Sequence, residues 1–297
     1  MKIFKLKVGS SKIYELNKNI FELQTKQKKP YYTFNNSNEQ IQYAVCPACD
    51  NPIQIIGLYK KLKNTDKPYG RHCIHSVAGL AEYNQQAYDF CPYSKKSFNV
   101  NPQSRKGKLT ELEKNIYYIL RDQFDRVIYI LRQVLDIYIT NKSAKSMLET
   151  FVKGKGWLYS WGTLNNIPWI LCHLSWAKTL LGQPIRKDSD VYKAIMNNCH
   201  EALFCTDERH KGYSILTNKP GEFVDISYCL IQHQREIIDD NLIETFELKI
   251  SNSKNEAFFS KQIKVDEMYF LNLINKNNEH FRNKTLLDIA QNLMPDL

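Results

Sequence analysis

The chain has 297 residues, 43% of them hydrophobic and 24% charged, an ordinary globular composition long enough for one large domain or two of usual size. Its most apolar stretches are cut by Arg121, Asp122, Asp125, Arg126 and Arg132, or by His173 and Lys178, so no segment reaches the roughly 20 apolar residues of a membrane span. The net charge of +10 is uneven: residues 1–108 hold 18 Lys and Arg against 7 Asp and Glu, whereas residues 109–297 hold 23 against 24. An excess confined to one part of a chain points to an anionic partner for that part.

Met1–Ser10 alternates lysine with apolar residues and makes no secretory h-region. A cytoplasmic location is therefore expected, with the eight cysteines as thiols or metal ligands rather than disulfides. Residues 1–45 read as short strands (Ile3–Val8, Ile13–Leu16, Tyr31–Phe34) separated by Lys-rich turns. Gln42–Val45 and Ile53–Leu58 look like hairpin arms around Cys46-Pro47-Ala48-Cys49. Ser76–Phe90 has a helical period opened by Ser76. The polar run 99–108, with Pro and Gly, is the expected boundary between a 1–108 module and a 109–297 domain.

Beyond it, Thr110 and Glu113 suggest a capping box, and Leu112, Ile116, Leu120, Phe124, Val127, Leu131, Leu135 and Tyr138 recur at helical spacing. One long helix is expected there, followed by helices near 143–152, 164–181 and 190–203. Strands are expected at 213–216, 223–231, 243–250 and 257–265, the last two forming a hairpin over the polar turn 251–255. Helices at 267–274 and 284–293 close the chain. The fold class is α+β, a small zinc-stabilised basic module followed by a larger helix-plus-antiparallel-sheet domain.

Cys46-x2-Cys49 is the most specific signal. Two thiolates in a tight turn chelate one Zn²⁺, and tetrahedral zinc needs two further ligands. Cys73 and Cys91 give the simplest set, and His72 or His75 in place of Cys73 gives Cys₃His. Buried reduced thiols are the structural alternative. A redox CxxC is disfavoured because the motif lies between apparent strands, without the helix whose dipole would activate a thiolate. Cys172, Cys199, Cys205 and Cys229 show no ligand spacing and read as small buried hydrophobes.

Taken together, Cys46, Cys49, His72, Asn84 and Cys91 resemble the HNH nucleases. That resemblance implies His72 as general base, Asn84 as a supporting site residue and a divalent metal such as Mg²⁺ at the phosphodiester. Arg71 departs from the pattern where an acidic ligand is usual, and Ser94 where a second Cys of the later pair belongs. A second triplet, Asp225…Glu247-x-Lys249, resembles the PD-(D/E)xK nuclease core, in which two carboxylates hold Mg²⁺ and a lysine polarises water. ExK is also a common surface pairing on strands. Trp169, His173 and Trp176 would share a helix face, as a stacking wall or as plain core.

The favoured reading is a zinc-stabilised nucleic-acid-binding protein. Its phosphate contacts would come from Lys60, Lys61, Lys63, Arg71, Lys95 and Lys96, supported by Lys2, Lys5, Lys7, Lys28, Lys29, Arg105, Lys106 and Lys108, and interleaved with Tyr31, Tyr32, Tyr59 and Tyr69. A metal-dependent nuclease and a structural subunit that docks a protein partner are the rivals. No membrane partner is expected.

Overall fold

A computed structural model describes residues 1–35, 37–60, 67–94, 105–107, 109–238, 241–275 and 282–297, and shows an α+β protein with two compact units. The first unit comprises residues 1–116, 158–165 and 235–243; the remainder forms the second. Most of the expected boundary run 99–108 lies outside the described residues.

In the first unit, β1 (Ile3–Phe4) and β2 (Tyr14–Glu15) form a two-stranded antiparallel pair. A helix, α1 (Lys18–Thr25), follows where the sequence suggested only turns. Asn17 starts it, its side chain accepting from the Ile20 N–H at 2.9 Å, and Phe21 and Thr25 are its buried face. Four antiparallel strands then make one sheet in the order β3 (Tyr32–Phe34), β4 (Gln40–Val45), β5 (Pro52–Ile56), β6 (Tyr69–His72).

The hairpin of β4 and β5 is the one expected around the cysteine turn. Alternation sorts the sheet into two faces. Tyr32, Gln42, Ala44, Ile53, Ile55 and Gly70 are buried on one face, which joins Met1, Phe4, Leu16, Phe21 and Leu58 in the core. Thr33, Ile41, Tyr43, Gln54, Ile56 and Tyr69 on the other face are half-buried, and Arg71 beside them is exposed.

The expected helix at Ser76–Phe90 shrinks to α2 (Gln85–Asp89). The Ser76 hydroxyl oxygen accepts from the Tyr83 N–H at 2.9 Å, and Val77 pairs with Ala81 around Gly79 at φ +74°, so the chain turns there instead of coiling.

The long helix of the second half is two helices, α3 (Glu111–Asp122) and α4 (Phe124–Leu135), broken at Gln123. The break coincides with a buried carboxylate. Asp125 accepts from Arg282 Nε at 2.8 Å and from the Asn283 N–H at 3.0 Å, tying α4 to the start of the last helix. At the opening of α3, Glu113 accepts from the Thr110 N–H at 2.9 Å and from Lys106 Nζ at 2.7 Å.

Next come α5 (Asn141–Lys153), α6 (Ile167–His173), β7 (Lys178–Thr179), β8 (Pro184–Arg186), α7 (Asp190–Asn198), β9 (Ala202–Thr206) and β10 (Tyr213–Asn218). The chain ends with β11 (Ile226–Ile238), β12 (Asn241–Asn252), β13 (Ala257–Lys264), α8 (Glu267–Asn275) and α9 (Lys284–Leu293). The helix expected over 164–181 stops at His173. The stretch assigned to the tail of the 190–203 helix contains a strand, β9. The second unit has a three-stranded sheet, β8-β10-β9, and most of a four-stranded one, β13-β12-β11-β7, while α4 meets α6, α8 and α9. Phe124, Val127, Ile128, Leu131, Met147, Phe151 and Ile170 in its core are fully buried.

Gly156 lies where a Cβ would stand 2.4 Å from two ring carbons of the buried Phe151. Gly156→Ala is therefore expected to destabilise the protein by about 1–3 kcal/mol in a denaturant titration, through overpacking, with metal content unchanged.

Candidate metal centre

The turn between β4 and β5 is closed by its own backbone. The Cys46 N–H donates to Asn51 O at 2.8 Å and the Asp50 N–H to Cys46 O at 3.2 Å. Asp50 takes the left-handed conformation, φ +59°, which a short polar side chain tolerates. Cys46 and Cys49 are thus held on one tight loop. β6 lies beside β5, with His72 in register with Ile53, so its last residue arrives at the cysteine end of the sheet. Cys91 comes from the turn after α2, where the Cys91 N–H donates to Tyr88 O and the Ser94 N–H to Cys91 O, at 3.0 and 2.9 Å.

The ligand atoms of Cys46, Cys49, His72 and Cys91 lie within 4.8 Å of one another, close enough to hold one metal ion. Cys46 Sγ is 3.7 Å from Cys91 Sγ, and His72 Nε2 is 3.3 Å from Cys49 Sγ and 3.5 Å from Cys91 Sγ. Burial pushes the thiols upward, and Cys49 and Cys91, next to Cys46, stand well above the ordinary range. Cys46 is buried too, but hydrogen bonds from Cys49 and Cys91 and the nearby His72 hold it well below that range. Neighbouring thiolates repel one another, and a cation held among the four ligands would offset that repulsion.

Asn51, 1% exposed, fixes the loop from behind. Its Nδ2 donates to Cys49 Sγ at 3.3 Å and to Asn84 O at 3.0 Å, and its Oδ1 accepts from the Asn84 N–H at 2.6 Å. Lys5, 2% exposed, pairs with Asp50. Sequence reasoning passed over Asn51 and Asp50, although both directly follow the CxxC turn.

The set Cys46, Cys49, Cys73, Cys91 therefore needs one correction. Cys73 is not in the group, and of the two histidines offered as its replacement, His72 is. Neighbouring residues leaving a strand point to opposite faces, so His72 and Cys73 cannot both face the loop. Burial pushes the Cys73 thiol up to about 11. His75 is exposed and likewise outside the group.

The nuclease constellations fare differently. His72 Nε2 belongs to the metal group, and the Asn84 side chain caps α2, accepting from the Ala87 N–H at 2.9 Å. A groove of about 1190 Å³ has Asn84 on its wall but not His72, so the pair does not converge on a shared cleft. Asp225 is exposed just before β11. Glu247 and Lys249 do share a face of β12, but the Glu247 carboxylate accepts from the Ser260 hydroxyl. Among the described residues, the Cys₃His group is the one place where three or more metal-ligating side chains meet. Trp169 is fully buried, whereas Trp176 lies beyond the end of α6 and is 78% exposed, so the aromatic helix face does not form.

Of the basic residues, Lys60 and Arg71 are exposed, as are Lys2, Lys7, Lys28, Lys29 and Arg105. Lys61, Lys63, Lys95, Lys96 and Lys108 lie outside the described residues. Lys5 and Lys106 are committed to Asp50 and to the buried Glu113, and leave the group of phosphate contacts. The chain matches no family model, no curated protein and no solved structure. No helix among the described residues is long and apolar enough to cross a membrane.

Cys91→Ala is expected to abolish stoichiometric metal in the purified protein, while Cys73→Ala retains it, measured by elemental analysis. Asn51→Ala should lower metal affinity about 10- to 100-fold in a competitive chelator titration. Acidification should release the metal, since protons compete for all four ligands and affinity falls as pH falls.

Proposed function

We propose that the first unit is a zinc-stabilised module that binds nucleic acid through its basic surface. The observation that carries this reading is the coincidence of the metal group with the excess positive charge. The first compact unit holds 20 basic residues against 12 acidic, the second 21 against 19. A polyanion binds a basic surface by releasing condensed counterions, which gives affinity without sequence preference and a steep salt dependence.

Zinc suits the donor set. With Zn–S of about 2.3 Å and Zn–N of about 2.0 Å, a regular tetrahedron has S···S edges of about 3.8 Å and S···N edges of about 3.5 Å. The separations of 3.7, 3.3 and 3.5 Å lie close to these. Four protein ligands leave no open position, which favours a structural ion over a catalytic one. Its work would be to pin the β4–β5 turn, the end of β6 and the turn after α2 to one point.

The purified protein is expected to carry one zinc per chain and to melt at lower temperature when chelated. It should also bind both DNA and RNA with a log affinity that falls linearly with log salt. Reversing Lys60, Lys61 and Lys63 to Glu should weaken binding across sequences and flatten that slope. Absence of salt-dependent binding to any nucleic acid would overturn the reading.

A further inference from the structure

We infer that the half-buried face of the β3–β6 sheet is a stacking surface for single-stranded nucleic acid, centred on Tyr43, Tyr69 and Arg71. The inference rests on the nucleic-acid reading above and names the surface and the form of the ligand.

Strand register places these side chains together. Tyr43 on β4 is opposite Gln54 on β5, which is opposite Arg71 on β6. Tyr69 is two residues before Arg71 on the same strand and therefore on the same face, opposite Ile56. Tyr43 and Tyr69 are thus two strands apart and two residues offset, roughly 12 Å between backbones from the sheet spacings, with Arg71 level with one and next to the other. Thr33, Ile41 and Ile56 complete the surface.

No carboxylate stands among these seven positions, in a unit that carries 12 acidic residues. Two rings, an amide and a guanidinium, without an anion, are the chemistry that a strand with unpaired bases requires. The rings offer π-faces to bases, Gln54 offers a donor and an acceptor to base edges, and Arg71 meets the intervening phosphate. A duplex keeps its base faces stacked inside and cannot use the rings, so the surface selects the single strand. The opposite face of the same sheet is core and carries His72, so the metal group holds the platform in register from behind.

The test compares a fluorescent 20-nucleotide single strand with the duplex of the same sequence across a salt series, using the full-length, metal-loaded protein. Wild type should bind the single strand more tightly. Tyr43→Leu and Tyr69→Leu keep apolar bulk but lose the ring, and each should weaken single-strand binding roughly tenfold without changing the salt slope. Tyr43→Phe and Tyr69→Phe keep the ring and should bind as wild type, which separates stacking from a folding defect. Arg71→Gln should lower the slope by about one phosphate contact. If the protein binds with a normal salt slope but the Leu variants match wild type, or duplex is preferred, this inference falls while the nucleic-acid reading stands. If neither form binds, both fall.

Discussion

Three sulfurs and an imidazole nitrogen lie within 4.8 Å of one another, close enough to hold one metal ion, and this proximity is the constraint around which the turns of the first unit are arranged. Strands β1 to β6 run from two to six residues, each too short to be independently stable. The ligands come from three places: the β4–β5 turn, the end of β6 and the turn after α2. A single ion held at this point would tie the three segments together. Metal-free, the cluster is electrostatically frustrated, because one deprotonated sulfur raises the cost of deprotonating its neighbours.

The residues around the cluster follow from the same constraint. An uncompensated carboxylate directly after Cys49 would oppose thiolate formation, and Lys5 neutralises Asp50 at the expense of its own hydration. Asn51 serves two loops with one side chain. Its amide nitrogen reaches Cys49 Sγ, and its oxygen holds the Asn84 N–H, so the turn carrying two ligands and the segment leading to the fourth share one anchor. Cys91-Pro92-Tyr93-Ser94 repeats the form of Cys46-Pro47-Ala48-Cys49 with serine in the last place, and His72 supplies the ligand that the second turn lacks.

Much of this was legible from residue spacing. CxxC between two alternating runs implied a hairpin with ligands at its tip, and the β4–β5 pair has that form. The choice between His72 and Cys73 was not legible, because it depends on which face of β6 meets the loop, and a one-residue change of register exchanges the two. Asn84 stood at a spacing that suggested chemistry, yet asparagine is equally suited to starting a helix, and that is its role before α2. The helix over Ser76–Phe90 failed for a related reason: Gly79 and the Ser76 hydroxyl favour a turn that periodicity alone does not register. In β11 the buried positions run 226, 228, 230 and then 233, 235. Gln232 at φ +51° interrupts the alternation there, with no glycine to announce it. That shift turns His233 inward, where its Nε2 meets Glu244 at 3.0 Å and Glu244 in turn accepts from Asn166.

The two units thus solve the same problem by different means. The second has a continuous apolar core over α4, α5 and α6, and its buried charges come with fitted partners, as Asp125 does with Arg282 and Glu244 with His233 and Asn166. The first has a smaller apolar cluster around Phe4, Phe21, Ile53 and Ile55, with the Cys and His group at the edge of the sheet. One face of its main sheet is buried, while the other is half-buried along most of its length and buried at Val45 and Pro52. On the second face the half-buried rings of Tyr43 and Tyr69 stand beside an exposed Arg71, which the proposed stacking role would account for. If the unit binds nucleic acid as proposed, its excess of lysine and arginine would act at longer range than the rings, attracting a polyanion before any ring meets a base.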